Sequence, residues 1–225
     1  MKCEITPIPL PLPFRLGSVN CYLIATESGS ILIDTGGKNS RKVLLSKLES
    51  AGCNPGQLRL IILTHGDFDH TGSAAYLRAT YETQIAMHPD DAGMAEHGDM
   101  FFNRQRFNAL LGKLAPIFSG FSKAERFTPD ILLKDGGDLS AYGLDASVIS
   151  IPGHSKGSIA ILNADGDLFC GDLLENTKEP ALGSIMDDPV AAHLSLQALS
   201  ALEVGTVYPG HGQPFPMHLF ATAKT

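Results

Sequence analysis

Short apolar runs alternate with amphipathic stretches along this chain, which is typical of a mixed α/β structure. Residues 19–25 and 30–33 predict two strands, joined as a hairpin by a turn at residues 27–29. Residues 60–63 form a continuous apolar run, which indicates a strand buried on both faces. Further strands are predicted at residues 84–87, 147–151, 158–162, 167–170 and 206–208.

Helices are predicted between several of these strands. The first begins after Asn39 or Ser40, either of which can cap it, and ends at Gly52. Its expected apolar face consists of Val43, Leu44, Leu48 and Ala51. A short helix is predicted at residues 74–81, and the last helix at about residues 189–202, with a proline in its first turn.

Residues 88–127 interrupt the strand pattern. They hold six of the eleven phenylalanines and helical-looking runs such as residues 103–114. We interpret the segment as a helical insertion that covers apolar surface. Ordinary core packing is the alternative, and a homodimer contact through the phenylalanines is a third role. Because no stretch has the composition of a linker, we expect a single domain over residues 1–225.

Composition narrows the function classes. With 225 residues, 44% of them hydrophobic, the chain can build a core without disulfides, and its four cysteines have no paired spacing, so we expect free thiols. The net charge of -7 argues against nucleic-acid binding and against anionic membrane surfaces. No apolar run approaches the roughly 18 residues of a membrane span, and the proline-rich start differs from a signal peptide. We therefore expect a cytoplasmic protein.

The strongest chemical signal follows the apolar run at residues 60–63. Four side chains able to bind a metal ion lie within six residues there: His65, Asp67, Asp69 and His70. Three more such side chains follow predicted strands: His154, Asp172 and His211. Neighbouring glycines allow the backbone to turn sharply at these strand ends, where functional residues concentrate. The set predicts one shared metal-binding centre.

The order of these segments resembles the metallo-β-lactamase superfamily. That family has a His-x-His-x-Asp-His loop, then a downstream histidine, a Gly-Asp pair and a final Gly-His pair. Its early Asp-Thr-Gly turn is matched here by residues 34–36, and the resemblance extends from about residue 18 to residue 216. The resemblance implies a four-layer αββα sandwich with two divalent metal ions at one edge, between the sheets.

The resemblance also implies which residues bind each metal ion. The ligands of the first ion would be His65, Asp67 and His154. The ligands of the second ion would be Asp69, His70 and His211. Asp172 would bridge the two ions.

One position departs from the family pattern, because Asp67 stands where the family has its second histidine. A third carboxylate should make the first metal ion less acidic and raise the pKa of a bridging water. It also shifts the preference from zinc, the expected metal, toward manganese or iron. The diiron flavoproteins of the superfamily carry a glutamate at that position. We interpret Asp67 as a ligand; the alternative is that it lies behind the first metal ion without binding it.

The implied activity is hydrolysis of a small ester, thioester, lactone or related acyl substrate by a metal-activated hydroxide. Two aspartates are catalytic candidates: Asp69 could orient the hydroxide, and Asp34 could hydrogen-bond a metal ligand, with a simple turn role as its alternative. His88 and Ser155 are candidates for substrate contact. His97, His193 and His218 are expected on the surface.

Two other functions stay open from the sequence. The carboxylate-rich site resembles that of the diiron oxygen- or nitric-oxide-reducing branch, which would need a separate electron-donor partner for this chain. A non-catalytic metal-binding module is the third hypothesis, because a fold does not determine a function. For the hydrolase we expect a small-molecule substrate and neither a nucleic-acid nor a membrane partner.

Overall fold

A computed structural model describes residues 3–13, 17–102, 104 and 123–222 of this chain. Its strands are β1 (Glu4–Pro11), β2 (Ser18–Thr26), β3 (Gly29–Ile33), β4 (Leu58–Ile62), β5 (Gln84–Met87), β6 (Ile131–Leu132), β7 (Ala146–Ser150), β8 (Ile159–Asn163), β9 (Asp167–Gly171), β10 (Leu174–Glu175), β11 (Ala181–Leu182), β12 (Thr206–Pro209) and β13 (Phe215–Pro216). Its α-helices are α1 (Arg41–Ser50), α2 (Phe68–Thr71), α3 (Ala74–Tyr81), α4 (Pro89–His97), α5 (Pro189–Ser200) and α6 (Met217–Thr222).

The strands form two main sheets. The first has six strands in the order β1-β2-β3-β4-β5-β6, antiparallel from β1 to β3 and parallel from β3 to β6. The second has five strands in the order β13-β12-β9-β8-β7, and within it only the β12–β9 pair is parallel. A small third sheet pairs β10 with β11.

Alternate residues of each buried strand face opposite layers, because side chains point to opposite faces along a strand. Ile31 and Ile33 of β3 pack between the two sheets, together with Phe169 of β9. Leu32, which lies between the two isoleucines, packs on the outer side of the same sheet with Leu44 of α1. Both faces of the sheet are therefore buried, which explains the continuous apolar runs in the sequence.

The second sheet also has a helix on its outer face. Leu168 and Cys170 of β9 pack there with Leu196 and Leu199 of α5. The layers therefore run helix, sheet, sheet, helix. The αββα sandwich expected from the sequence is confirmed. The four cysteines are free thiols, as expected.

The sequence analysis placed no strand before residue 19, yet β1 pairs with β2 over more residues than β3 does. β1 contains Pro7, Pro9 and Pro11, which obscured its strand character. It lies at the edge of its sheet, where a missing backbone N–H is tolerated because no second neighbour requires it. Ile8 and Leu10 alternate with the prolines and are buried, so the strand still contributes to the core.

Several predicted elements need correction. In α1 only Leu44 and Leu48 are buried, whereas Val43 is 39% exposed and Ala51 is an exposed C-cap residue, so half of the predicted apolar face was wrong. The helix predicted at residues 189–202 is α5, but it is not the last helix, since α6 follows β13. The two-residue β13 was also not predicted, because it is too short to show a pattern of its own and is defined by its pairing with β12.

Within the predicted insertion at residues 88–127 the structure describes α4 and a 3-10 turn at Lys123–Glu125. The run at residues 103–114 lies outside the described residues except for Arg104. Among the described residues, no helix combines the length and apolar character needed to cross a bilayer.

Candidate metal centre

The loop after β4 carries four of the candidate ligands. Asp67 is the N-cap residue of α2, so Asp69 and His70 lie in the first turn of that short helix. His65 is 1% exposed and His70 is 0% exposed. Polar side chains are rarely buried so completely without partners, so this loop must turn them toward other polar groups.

The other three candidates follow strands of the second sheet. His154 comes after β7, Asp172 directly after β9, and His211 just after β12. At Gly210 a Cβ atom would collide with the Asp172 carboxylate and lie 2.8 Å from Cε1 of His70. Glycine therefore allows the backbone before His211 to approach the centre this closely.

The candidate ligand atoms form two groups among the described residues, and within each group all atoms lie within 4.8 Å of one another. The first group consists of His65, His154 and Asp172. The second group consists of Asp69, His70 and His211. The Asp172 carboxylate also contacts the second group, because its Oδ1 lies 3.3 Å from Nε2 of His70 and its Oδ2 lies 3.3 Å from Nε2 of His211.

Asp34 orients the two histidines of the β4 loop. Its Oδ2 lies 2.8 Å from Nδ1 of His70. Thr64 donates its backbone N–H to Oδ1 and its hydroxyl to Oδ2 of Asp34, both at 2.8 Å. Because that hydroxyl donates to Asp34, it is free to accept from Nδ1 of His65, which lies 2.9 Å away. One carboxylate therefore directs Nε2 of both histidines away from itself.

Backbone carbonyls orient the other two histidines. Nδ1 of His154 lies 2.7 Å from the Ile185 carbonyl oxygen, and Nδ1 of His211 lies 2.8 Å from the Ser18 carbonyl oxygen. A carbonyl can only accept, so Nδ1 carries a proton, and Nε2 is the nitrogen that can bind a metal ion once it has lost its own proton. All four histidines thus present the nitrogen that can bind a metal ion.

These side chains fit a pair of divalent metal ions. Nε2 of His65, Nε2 of His70 and Oδ1 of Asp172 are buried and have no hydrogen-bond partner of good geometry. Buried polar atoms without partners are costly, so such a cluster signals a missing ligand. Imidazole nitrogen and carboxylate oxygen are ligands of zinc, manganese and iron.

The electrostatics of the cluster also suit metal binding. Burial lowers the pKa of His65 well below its ordinary value, and the neighbouring His70 and His154 act in the same direction. Burial also opposes protonation of His211, but the Asp172 carboxylate outweighs it and raises the pKa of His211 to about 9. Metal binding at neutral pH must therefore displace protons from part of this set.

Asp67 lies beside the first group and divides its two oxygens between different partners. Oδ2 is 3.1 Å from Nε2 of His154 and 3.9 Å from Nε2 of His65, whereas Oδ1 is 2.9 Å from Nη2 of Arg104. Burial alone would raise the pKa of Asp67, but the hydrogen bond from His154 and the charge of Arg104 outweigh it and hold the pKa below its ordinary value. The charge argument made from the sequence omitted Arg104 and is incomplete.

Asp34, His88 and Ser155 lie outside the central cluster. Asp34 is 2% exposed and acts on the site through the groups that it holds. It adopts a φ of 59°, which is uncommon for any residue other than glycine.

His88 caps α4 by accepting from the Asp90 N–H at 3.2 Å. Ser155 is buried and lines a neighbouring cavity of 310 Å³. Substrate contact by His88 or Ser155 stays a prediction.

The sequence analysis missed Asp91 as a residue that holds the site together. Its carboxylate accepts from the backbone N–H of Gly66 at 2.9 Å and of Gly157 at 2.8 Å, and from the Ser155 hydroxyl at 2.6 Å. Asp91 thus ties the loop after β4 to the loop that follows His154. No local pattern indicates this role, because the three partners are distant in sequence.

Asn20 was missed as well, although the sequence carries a signal for it. Its side-chain amide donates to the carbonyl oxygens of Pro209 at 3.0 Å and Gly212 at 2.7 Å, on either side of His211. A buried asparagine inside the apolar strand β2 requires hydrogen-bond partners. A polar residue in this apolar run therefore indicates a structural role. His97, His193 and His218 are exposed, as expected.

A cavity of 480 Å³ opens over the cluster. The candidate ligands in its lining are Asp67, Asp69, His154, Asp172 and His211. The apolar residues in its lining are Leu12, Phe68, Met100 and Ile185. Glu175, Thr177 and Ser184 add polar groups. An apolar wall with a few convergent polar groups is the usual form of a small-molecule site.

Comparison with known proteins identifies the family. The sequence profile of the metallo-beta-lactamase superfamily matches residues 14–211. A crystal structure of TTHA1623 in a di-iron-bound form is 30% identical, with a TM-score of 0.72, and the match covers 95% of this chain and 96% of that one. The chain therefore belongs to the metallo-β-lactamase superfamily, whose members bind a dinuclear metal centre.

Curated relatives agree with this assignment. The probable metallo-hydrolase YqjP of Bacillus subtilis is 27% identical over 94% of this chain and 72% of its own length. The hydroxyacylglutathione hydrolase GloC of Haemophilus influenzae is 28% identical over 72% of this chain and 70% of its own length. The chain is a metallo-hydrolase of this superfamily.

Proposed function

We propose that the chain hydrolyses a small ester, thioester or lactone with two divalent metal ions held at the base of the 480 Å³ cavity. The observation that carries this proposal is the orientation of four histidines whose Nδ1 atoms are all engaged. Their Nε2 atoms, together with the carboxylates between them, are left for cations. No other role for so many buried, inward-turned polar atoms is evident in the described part of the chain.

The proposed ligand assignment starts from the two groups and adds Asp67 to the first. The first ion would be held by His65 and His154, with Oδ2 of Asp67, which lies 3.1 Å from Nε2 of His154, as a further ligand. The second ion is held by Asp69, His70 and His211. Asp172 joins the two positions, since its carboxylate lies within 4.0 Å of histidines in both groups.

When bound, such ions lower the pKa of water and polarise the carbonyl oxygen of an acyl substrate. The protein supplies the rest. The apolar side chains of Phe68, Met100 and Ile185 exclude water from one side of the cavity and provide a surface for the acyl group. Asp69, which lines the cavity floor, orients the attacking water and accepts its proton.

The substrate class is supported by the cavity and by one relative. A volume of 480 Å³ lies within the range of small-molecule sites. The similar protein from Haemophilus influenzae is named hydroxyacylglutathione hydrolase, a name that indicates an acyl substrate. A net charge of -7 disfavours polyanionic nucleic-acid substrates.

The test is hydrolysis by purified protein loaded separately with zinc, manganese or iron. Substrates are p-nitrophenyl acetate, an acyl thioester, a γ-lactone and bis-p-nitrophenyl phosphate. We expect turnover of an acyl substrate, and a loss in Asp172→Ala larger than the roughly 10–100-fold that removal of an outer partner causes. His193→Ala is the matched control, because His193 is exposed and bonds only within its own helix, at 2.7 Å. Turnover of the phosphodiester alone, or none with any metal, would refute the acyl-hydrolase proposal.

A second candidate function is diiron redox chemistry with a separate electron donor. One observation favours it: the 30% identical relative was crystallised with two irons. The discriminating experiment is electron paramagnetic resonance of iron-loaded protein before and after dithionite. Iron that cycles and supports oxygen consumption would favour the redox function, whereas full activity of the zinc form would exclude it.

A further inference from the structure

Arg104 reaches the candidate metal centre from the segment that follows α4. Its side chain is 2% exposed, and its Nη2 lies 2.9 Å from Oδ1 of Asp67. Its Nε lies 2.9 Å from Oδ2 of Asp187. A guanidinium this deeply buried is stable only between charge partners, so the contact with Asp67 is a defined feature of the site.

The ion pair leaves only one oxygen of Asp67 for a cation. Oδ1 faces Arg104, while Oδ2 faces the histidines of the first group, 3.1 Å from His154 and 3.9 Å from His65. A free carboxylate can bind a metal ion through both oxygens. Arg104 therefore restricts Asp67 to a single donor atom on the side of the cavity.

The pair also cancels charge. Relative to the histidine that the family has at this position, Asp67 adds one negative charge and Arg104 adds one positive charge. The guanidinium has a second carboxylate partner, Asp187, whose side chain is 18% exposed against 9% for Asp67 and which lines the neighbouring cavity and not the metal cavity. Its charge is therefore screened more strongly than that of Asp67.

We propose that Arg104 is a positioning residue which, with Asp67, forms a neutral one-atom ligand unit in place of a histidine. The inference rests on the proposed dinuclear site, because it concerns the ligand of its first ion. Asp67 alone would make the first position more negative than in the histidine form. Together with Arg104, Asp67 offers the first ion a hard oxygen donor, and the pair has the same net charge as a neutral imidazole, namely zero.

A double-mutant cycle on metal affinity tests the unit. Zinc and manganese affinities are measured by competition with a chromogenic chelator in wild type, Asp67→His, Arg104→Gln and the double variant. Asp67→His alone leaves the buried guanidinium beside the cations with Asp187 as its remaining partner, so we expect weaker binding at the first position. In the double variant that charge is absent, and binding should return close to wild type. Coupling between contacting groups usually corresponds to roughly 2–100-fold.

Two further variants separate charge from packing. Arg104→Gln removes the charge and keeps a polar side chain, so it should bind the first ion more tightly than wild type. Arg104→Lys keeps the charge and should bind like wild type. Arg78→Gln is the matched control, because Arg78 forms a 3.5 Å pair with Asp130 that is one-third exposed and remote from the cavity lining. It should not change metal affinity.

Some outcomes would overturn the inference. If Asp67→His changes metal affinity by the same factor in the wild-type protein and in the Arg104→Gln variant, the two residues act independently. Weaker binding in Arg104→Gln, or the same change in Arg104→Lys, means that charge compensation is not the role. If Arg104→Gln fails to fold, the lysine variant and Asp67→His decide alone, and binding of Asp67→His equal to wild type refutes the unit. Wild-type protein that binds two ions and hydrolyses an ester keeps the proposed function in each case.

Discussion

The two halves of the candidate metal centre are held in different ways. His65 and His70 depend on a buried side chain, the carboxylate of Asp34, which reaches one directly and the other through Thr64. His154 and His211 depend on backbone carbonyl oxygens, those of Ile185 in the loop after β11 and of Ser18 at the start of β2. The first half is therefore sensitive to single side-chain substitutions. The second half is sensitive to the position of these backbone segments and should tolerate most single substitutions better.

The largest effect is expected from removing Asp34. Asp34→Ala leaves three donors without an acceptor, namely Nδ1 of His70 and the N–H and hydroxyl of Thr64. It also places alanine at a φ of 59°. We expect a loss of about 3–5 kcal/mol in the free energy of unfolding and a loss of both metal ions. Urea unfolding and elemental analysis measure the two effects.

Asp34→Asn separates backbone strain from charge, because asparagine tolerates positive φ. This variant should fold but bind metal at least about tenfold more weakly, since the amide cannot accept from both partners as the carboxylate does. Wild-type metal affinity in Asp34→Asn would contradict the role given to the carboxylate.

A smaller effect is expected at Thr64. Thr64→Val has nearly the same shape but loses the hydroxyl between Asp34 and His65. We expect a cost of about 1–2 kcal/mol in stability and a roughly tenfold weaker first metal ion, with the second unchanged. Thr64→Ser keeps the hydroxyl and should restore the first ion. Equal weakening of both ions would show that the Thr64 hydroxyl does not act through His65 alone.

The smallest effect is expected in the half held by backbone carbonyls. Asn20→Ala removes the two bonds to the carbonyls of Pro209 and Gly212 that flank His211. We expect a loss of about 1–2 kcal/mol in stability but only a few-fold weaker second metal ion, because the Ser18 carbonyl still orients His211. Chelator competition measures the affinity. A loss as large as that of Asp34→Ala would remove the contrast between the halves.

Tyr22→Phe is the control for this variant. The Tyr22 hydroxyl donates to the same Pro209 carbonyl at 2.6 Å but is not bonded to Gly212. It should cost about 1 kcal/mol in stability and leave metal affinity unchanged. A metal loss in Tyr22→Phe as large as in Asn20→Ala would show that general loosening of the loop, and not the bonds around His211, is responsible.

The candidate ligands could be predicted from the sequence because each carries a local signal. His65, Asp69 and His70 crowd into one loop, and Asp172 and His211 follow glycines at strand ends. The layered arrangement could also be predicted, because strands buried on both faces appear in the sequence as continuous apolar runs. These features depend on near neighbours along the chain.

What the sequence could not provide depends on contacts between distant segments. Arg104 forms ion pairs with Asp67, which lies 37 residues earlier in the sequence, and with Asp187, which lies 83 residues later. Nothing in the sequence near Arg104 indicates a buried ion pair. Asp91 is similar, because its partners lie on two loops. His88 is a different case: its place after a strand suggested substrate contact, which stays a prediction, and the structure adds that it caps α4.

The most direct test of the account is metal content per chain in wild type, Asp172→Ala and His211→Ala, each loaded with zinc and desalted. Asp172 contacts both groups, whereas His211 belongs only to the second. We predict about two ions in wild type, loss of both in Asp172→Ala, and retention of one in His211→Ala. Wild-type metal content in both variants, or no bound metal in the wild type, would contradict the dinuclear centre.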